Sequence, residues 1–291
     1  MNELYKAIGI TKQGFHQNLD RMLIQVEEQQ QLLPLIDQIR EDHPQMSSRQ
    51  MYRMIKPIHM GRDRFEQFCF SEGYKIEGRK AYHRTTDSRG VTRFDNLIQS
   101  IELTGVNQVW VSDITYYELR NVFYYLTFIM DLYSRRIVGH VGSENLMTAN
   151  TTLPALRMAL KERNPEPGLI FHSDGGGQYY CKEFLKLTEH WKIKNSMCET
   201  VYENPNAERI NGTIKNAYLK FYGPENFPEL KQMLNKAVVN YNNFKPHESL
   251  KNISPVVFEK LLTESTVFNK RKKEPKKENN NSSKQIEIIS L

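Results

Sequence analysis

Only three cysteines occur in 291 residues, and Cys69, Cys181 and Cys198 lie far apart without CxxC or His-rich spacing. That excludes a disulfide framework and a structural zinc site as organising principles, and all three are expected to be reduced. No run approaches the roughly 18 consecutive apolar residues of a spanning helix. The start, Met1-Asn-Glu-Leu-Tyr-Lys6, lacks a basic-then-apolar leader, so a soluble cytoplasmic protein without membrane contact is expected. No Gly-Lys-Ser or Gly-Lys-Thr follows the glycine cluster at Gly175 to Gly177, which excludes a Walker loop. Internal repeats are also missing.

Charge is present but uneven. The net +6 divides into +2 over residues 1–100, zero over 101–264 and +4 over 265–291. A neutral middle with basic ends suits a core flanked by segments that meet a polyanion, with solvated charge as the plain alternative. In the first hundred residues the apolar spacing is helical. Gly9 and a candidate N-cap, Thr11, precede Phe15, Leu19, Met22 and Val26, the outline of a helix, a tight turn and a second helix. Pro34 and Pro44 are expected to punctuate further short helices. Ser47 or Ser48 can cap a segment with Met51, Tyr52 and Ile55, and Gly73 closes one with Phe65, Phe68 and Cys69. Eleven Lys or Arg against five Asp or Glu between Arg49 and Arg93 mark this region for DNA contact, and Lys80 to Gly90 reads as a linker.

From Gln108 the pattern changes to strands. Val109 to Glu118, Phe123 to Met130 and Arg136 to Val141 are rich in Val, Ile, Tyr and Phe and have short connections, as in an antiparallel meander. A helix over Met147 to Arg163, a strand over Gly168 to His172, a helix through Phe184, a short strand near Ser196 and a long helix from Pro205 to Phe221 follow. This order predicts an α/β fold, a mixed sheet with helices on both faces. The expected organisation is helix-turn-helix-like helices over 1–45, a second basic helical region and linker over 46–95, a catalytic core over 100–264, and a basic, disordered tail over 265–291.

Three acids stand in settings that ask for an explanation. Asp113 interrupts an apolar strand, where a lone carboxylate is costly unless bonded to neighbouring backbone or to a cation. Asp174 ends a strand and precedes three glycines, either an ordinary turn or a place where a bulky ligand can approach. Glu208 falls in the first turn of the last core helix, where Asn204 is a candidate N-cap and an acid also steadies the helix end. On that helix Glu208, Asn211 and Lys215 share a stripe beside the apolar face. Three carboxylates brought together favour hard cations, Mg²⁺ over Zn²⁺, and two such ions suit phosphodiester displacement. Asp131, before a turn, reads as structural, while Tyr241, Pro246 and His247 read as a lock for the last helix.

The motifs carrying these acids resemble the catalytic motifs of OrfB-type insertion-sequence transposases, whose core is shared with retroviral integrases. They are Trp110-Val-Ser-Asp113, His172-Ser-Asp174 with Gly175 to Tyr179, and Ala207-Glu208 with Lys215 seven residues on. Met130 to Gly139, Tyr241 to His247 and Ser254-Pro255 resemble supporting segments of the same family. The resemblance implies an RNase H-like catalytic core preceded by a small all-helical helix-turn-helix region. It implies Asp113, Asp174 and Glu208 as catalytic ligands of two Mg²⁺ ions, with Mn²⁺ as a substitute. DNA contacts would come from Lys215, Asn211, Arg209, Gly175, Gln178, Arg62, Arg64 and Lys80, and support for the site from His172. Such a protein would cleave and join strands at insertion-sequence ends and in target DNA. It would act as a homo-oligomer near the bacterial nucleoid, alone or with an upstream-frame partner or fusion. The alternatives are an RNase H-like nuclease that does not join, and an inactive end-binding regulator. Two departures from the family pattern are the 33 residues between Asp174 and Glu208, a shorter stretch than usual, and Gly175, where a basic or polar residue is common.

Overall fold

The computed structural model describes residues 5, 9–76, 94–198 and 204–273, so Lys80, the linker and the tail past Lys273 lie outside the described residues. Thr11 accepts the Gly14 N–H at 3.0 Å and starts α1 (Lys12–Asp42) after a turn at Gly9, whose φ is +68°. The helix expected before that turn lies outside the described residues except for Tyr5. α1 does not stop at Pro34, contrary to the sequence expectation. A helical proline forfeits a hydrogen bond, but Leu32 and Ile36 on either side are buried in an apolar cluster that holds the turn. Phe15, Leu19, Met22 and Val26, expected to pack, are exposed along the first half of α1. α2 (Ser48–Ile55) opens with a capping box between Ser47 and Gln50, and α3 (Arg62–Ser71) is closed by Gly73 at φ +82°. Met51, Phe65, Phe68 and Cys69 join Leu32 and Ile36 in the cluster that unites these helices.

The remainder is built on five strands: β1 (Val109–Leu119), β2 (Val122–Asp131), β3 (Ile137–Ser143), β4 (Ile170–Ser173) and β5 (Lys194–Met197). Their order in the sheet is β3-β2-β1-β4-β5. β1, β2 and β3 form the antiparallel meander expected from their spacing, and β4 and β5 add parallel to β1. The β1–β2 turn is two residues long, with Arg120 and Asn121 at φ +50° and +64°. Alternation then assigns the faces. Val109 and Val111 point toward α6 (Pro205–Thr213) and α7 (Phe227–Asn243), while Trp110 and Ile114 point toward α4 (Thr152–Arg163) and α5 (Lys182–His190). α6 does not end at Thr213. It passes through a π turn over Ile214–Leu219 and finishes as α-helix at Tyr222, an irregularity the sequence reading did not anticipate.

Two contacts lock the ends of this sandwich. Glu259, on α8 (Pro255–Lys273), takes Arg163 at 2.7 and 2.8 Å and Arg136 at 2.7 Å. α8 thus runs past residue 265, where composition placed the start of a disordered tail. At the other end, the junction of α1 and α2 rests on the last turns of the α6 helix. His43 Nδ1 lies 2.9 Å from the Tyr218 hydroxyl, and the Tyr222 hydroxyl donates to Asp42 O at 2.8 Å.

α4 lies so close to β3 that a Cβ on Gly139 would stand 2.3 Å from Ala155 O, a backbone atom that cannot swing aside. Gly139→Ala should therefore destabilise the fold by about 1–3 kcal/mol, read as a lower urea midpoint. Burial also pulls the His43 imidazole down to about 4 and His247 to about 3. With unfolded histidines near 6.5, the unfolded chain binds more protons below that pH. Stability is complete above about 6.5 and is lost as pH falls toward 4. His43 alone should cost on the order of 2 kcal/mol at pH 5, and urea titrations across pH 5–7.5 should show a shallower slope for His43→Asn.

Candidate active site

The parallel ladder between β1 and β4 pairs Val109 with Ile170 and ends with Ser112 opposite Ser173. Asp113 is the next residue of β1 and Asp174 is the first residue past the end of β4, and the charges of both act on the Tyr179 hydroxyl. β4 stops here because Gly175 and Gly176 follow. The Asp174 carboxylate accepts the Gly176 N–H at 3.2 Å, and the Tyr180 hydroxyl donates to Asp174 O at 3.0 Å. Burial raises the Asp174 pKa, opposed by that one backbone N–H. Beneath the pair lies Tyr179, fully buried, its hydroxyl 2.9 Å from Ser112 Oγ. Burial and the charges of Asp174 and Asp113 push its phenol well above the usual range.

α6 crosses β1 and is tied to it along its length. Asn204 Nδ2 donates to Ser112 O at 3.0 Å, Asn211 Nδ2 donates to Asp113 Oδ2 at 2.7 Å, and Lys215 Nζ donates to Thr115 Oγ1 at 2.7 Å and Tyr116 O at 3.1 Å. Glu208, half-buried, falls between the first two ties and three residues before Asn211, on the same helix face. Asn204 occupies the N-cap position but its Oδ1 makes no cap bond and accepts nothing in the structure, while its Nδ2 donates to β1. Burial lowers the Lys215 pKa while Asp113 raises it, placing that ammonium in the field of the first aspartate. Arg135, at φ +63°, donates to Asn206 Oδ1 at 2.7 Å and lies within the electrostatic reach of Arg209.

The expected residues are therefore distributed unevenly. Asn211 and Lys215 are bonded to β1 at Asp113 and Thr115, Asp174 follows β4, and Glu208 lies three residues before Asn211 on α6, but among the described residues no three His, Cys, Asp or Glu side chains stand close enough to hold a metal ion. His172 is fully buried, with Nδ1 2.9 Å from Ser196 Oγ and Nε2 3.1 Å from Cys198 Sγ, so it does not face outward. Gln178 Nε2 donates to Leu146 O at 3.3 Å. At Gly175 a Cβ would meet the flexible end of Met197. Arg62 and Arg64 lie on α3, bonded to Asp63 at 2.7 Å and to Gln25 respectively. Asp131 is structural: it accepts from Tyr133 N, Ser134 N and Asn107 N at 3.0, 2.9 and 2.5 Å. Sequence reasoning missed Tyr179 and the ties made by Asn204. Nothing in their local pattern distinguishes them from a core aromatic and a helix cap.

Two families described as Integrase core domain match this chain, over residues 104–202 and 190–255. The mixed α/β sheet over these residues is thus an integrase-type core, preceded by the helical region. The uncharacterized 31 kDa protein of insertion element IS600 from Shigella sonnei is 34% identical over 206 residues, covering 69% of this chain and 75% of that protein. The transposase InsF of insertion sequence IS3A from Escherichia coli (strain K12) is 29% identical over 180 residues, covering 59% of this chain and 61% of its own length. The chain belongs to the insertion-sequence transposase family with an integrase-like core. Among solved structures, the HTLV-2 integrase catalytic core domain in complex with magnesium (trimeric form) matches with 22% identity and a TM-score of 0.45, covering 52% of this chain and 95% of that one.

The Asn211–Asp113 bond yields a prediction about stability. Asn211→Leu removes the amide that meets a half-buried carboxylate, and should cost about 1–3 kcal/mol in urea unfolding, whereas Arg62→Ala on exposed α3 should stay within about 0.5 kcal/mol.

Proposed function

We propose that this protein cleaves DNA at the ends of an insertion sequence and joins the resulting 3′-hydroxyls to target DNA, with Asp113, Asp174 and Glu208 as the catalytic carboxylates. The observation that carries the reading is Asp113 on β1 beside the end of β4, where Asp174 follows, with the Glu208 helix bonded to Asp113 through Asn211. Membership of the transposase family supplies the reaction class.

The donor set suits a hard divalent cation: three carboxylates, no thiolate, and two buried amide oxygens, Asn204 Oδ1 and Asn211 Oδ1, that lack a hydrogen-bond partner in the structure. Asp113, Asp174 and Glu208 would hold Mg²⁺, as a pair of ions, with Mn²⁺ as a substitute; when bound, the metal supplies charge neutralisation for the attacking and leaving oxygens. Asn211 fixes the Asp113 rotamer by holding one of its oxygens. His172, level with Val111 across the ladder, braces the end of β4 through Ser196 and Cys198 just before Asp174. Lys215 reaches over the edge of β1 and presents its ammonium to a phosphate of the bound strand, while Arg135 and Arg209 offer cationic contacts beside the first turn of α6. DNA ends and target DNA are the partners, and a homo-oligomer would bring two ends together.

The test is strand cleavage and joining on labelled duplexes carrying the DNA that borders the gene, with Mg²⁺ or with EDTA. Cleaved and joined products are expected with Mg²⁺, and a loss of at least about 10³-fold in each of Asp113→Asn, Asp174→Asn and Glu208→Gln, with folding intact by circular dichroism. Cleavage without joined products would reduce the reading to a nuclease. Binding of end DNA without any cleavage would end it.

A further inference from the structure

The spacing of four residues on the α6 helix conflicts with the places they reach. Asn211, Lys215, Tyr218 and Tyr222 follow one another at intervals of four, three and four, which on an unbroken α-helix would set all four on a single stripe. In the structure the first two bond to β1, whereas the last two bond to the junction of α1 and α2. The π turn over Ile214–Leu219 accounts for the difference. One extra residue in the turn rotates everything after it by about 100°, so Tyr218 and Tyr222 leave the β1 stripe and face the helical region.

A π turn is rarely stable for its own sake and persists where tertiary contacts on both sides demand it. Upstream, those contacts are Asn211 on Asp113 and Lys215 on Thr115 and Tyr116. Downstream, they are a 2.9 Å bond between the Tyr218 hydroxyl and His43 Nδ1, both residues buried, and the bond from Tyr222 to Asp42 O, where Asn240 Nδ2 also donates at 3.0 Å. The rings of His43 and Tyr218 meet edge to face with centroids 5.7 Å apart.

We propose that His43 and Tyr218 are positioning residues for catalysis: the docked helical region holds the π turn, and the π turn sets the rotation at which Glu208, Asn211 and Lys215 meet β1. The N-terminal helices are then part of the active-site scaffold as well as a DNA-binding candidate. Without the bond, the helix relaxes toward regular α geometry, and the two halves can no longer satisfy β1 and the helical region at once. The catalytic consequence rests on the function proposed above, but the mechanical one does not.

The test uses the full chain and Tyr218→Phe, which keeps the ring and removes only the hydroxyl, with His43→Asn as the second variant. Hydrogen–deuterium exchange should rise by about tenfold or more over residues 214–219 while residues 152–163 stay unchanged. In the cleavage assay, kcat should fall about tenfold or more with KM for end DNA changed less than about threefold, and the double variant should be no worse than either single one. Unchanged exchange over 214–219, or an equal rise across the whole chain, overturns the proposal. So does raised exchange with unaltered kcat. A wild type that does not cleave DNA defeats the transposase chemistry, and exchange over 214–219 alone then decides whether His43 and Tyr218 hold the turn.

Discussion

The short parallel ladder between β1 and β4 is the constraint on which the rest of the structure depends. Only four residue pairs make it, yet it ends with Ser112 opposite Ser173, one residue short of Asp113 on β1 and of Asp174 just past β4. A slip of one residue would turn one of them to the opposite face and pair it with apolar neighbours. The ladder is held from both sides. Trp110, Phe171 and Tyr179 pack beneath it, and Val109, Val111 and the α6 helix pack above. The site is thus located by the core, since the side chains that fix the register are the same ones that bury the most area.

Two groups of buried or half-buried acids in this chain differ in the partners that hold them. Asp131 and Glu259 are saturated: backbone N–H groups surround the first, while Arg163 and Arg136 neutralise the second and pull its pKa down. Asp113 accepts the Asn211 amide and lies in the field of Lys215, and Asp174 accepts the Gly176 N–H; burial raises the pKa of Asp174 as it does that of Asp131.

Much of this was legible in the chain before any coordinates. The strand alternation of Val109 to Glu118 and the helical spacing of Leu153, Leu156 and Leu160 are local signals, and the elements they predict are present. Asp113 stood out because an acid inside an apolar strand contradicts its surroundings, and Asp174 because it ends a strand ahead of three glycines. What could not be read depended on partners distant in sequence. Pro34 looked like a helix breaker because the gain from burying Leu32 and Ile36 against α2 and α3 is not written near it. Phe15, Leu19, Met22 and Val26 looked like a packing face because spacing reports amphipathicity and not the presence of anything to pack against. Asn204 looked like a helix cap, and only the position of β1 diverts its amide to Ser112.

The π turn is the clearest case of such a limit. A spacing of four, three and four is the ordinary signature of one helical stripe, so the better the sequence fits a regular helix, the more firmly it predicts the wrong geometry for Tyr218 and Tyr222. Regular α geometry would satisfy every local preference of Ile214 to Leu219. That it is not adopted means two tertiary demands outweigh it, one from β1 and one from His43 and Asp42. A helix under opposed demands is fixed in rotation about its own axis more tightly than one packed on a single surface. For a helix that carries a carboxylate to a site on a neighbouring strand, rotation is the degree of freedom that decides whether the carboxylate arrives.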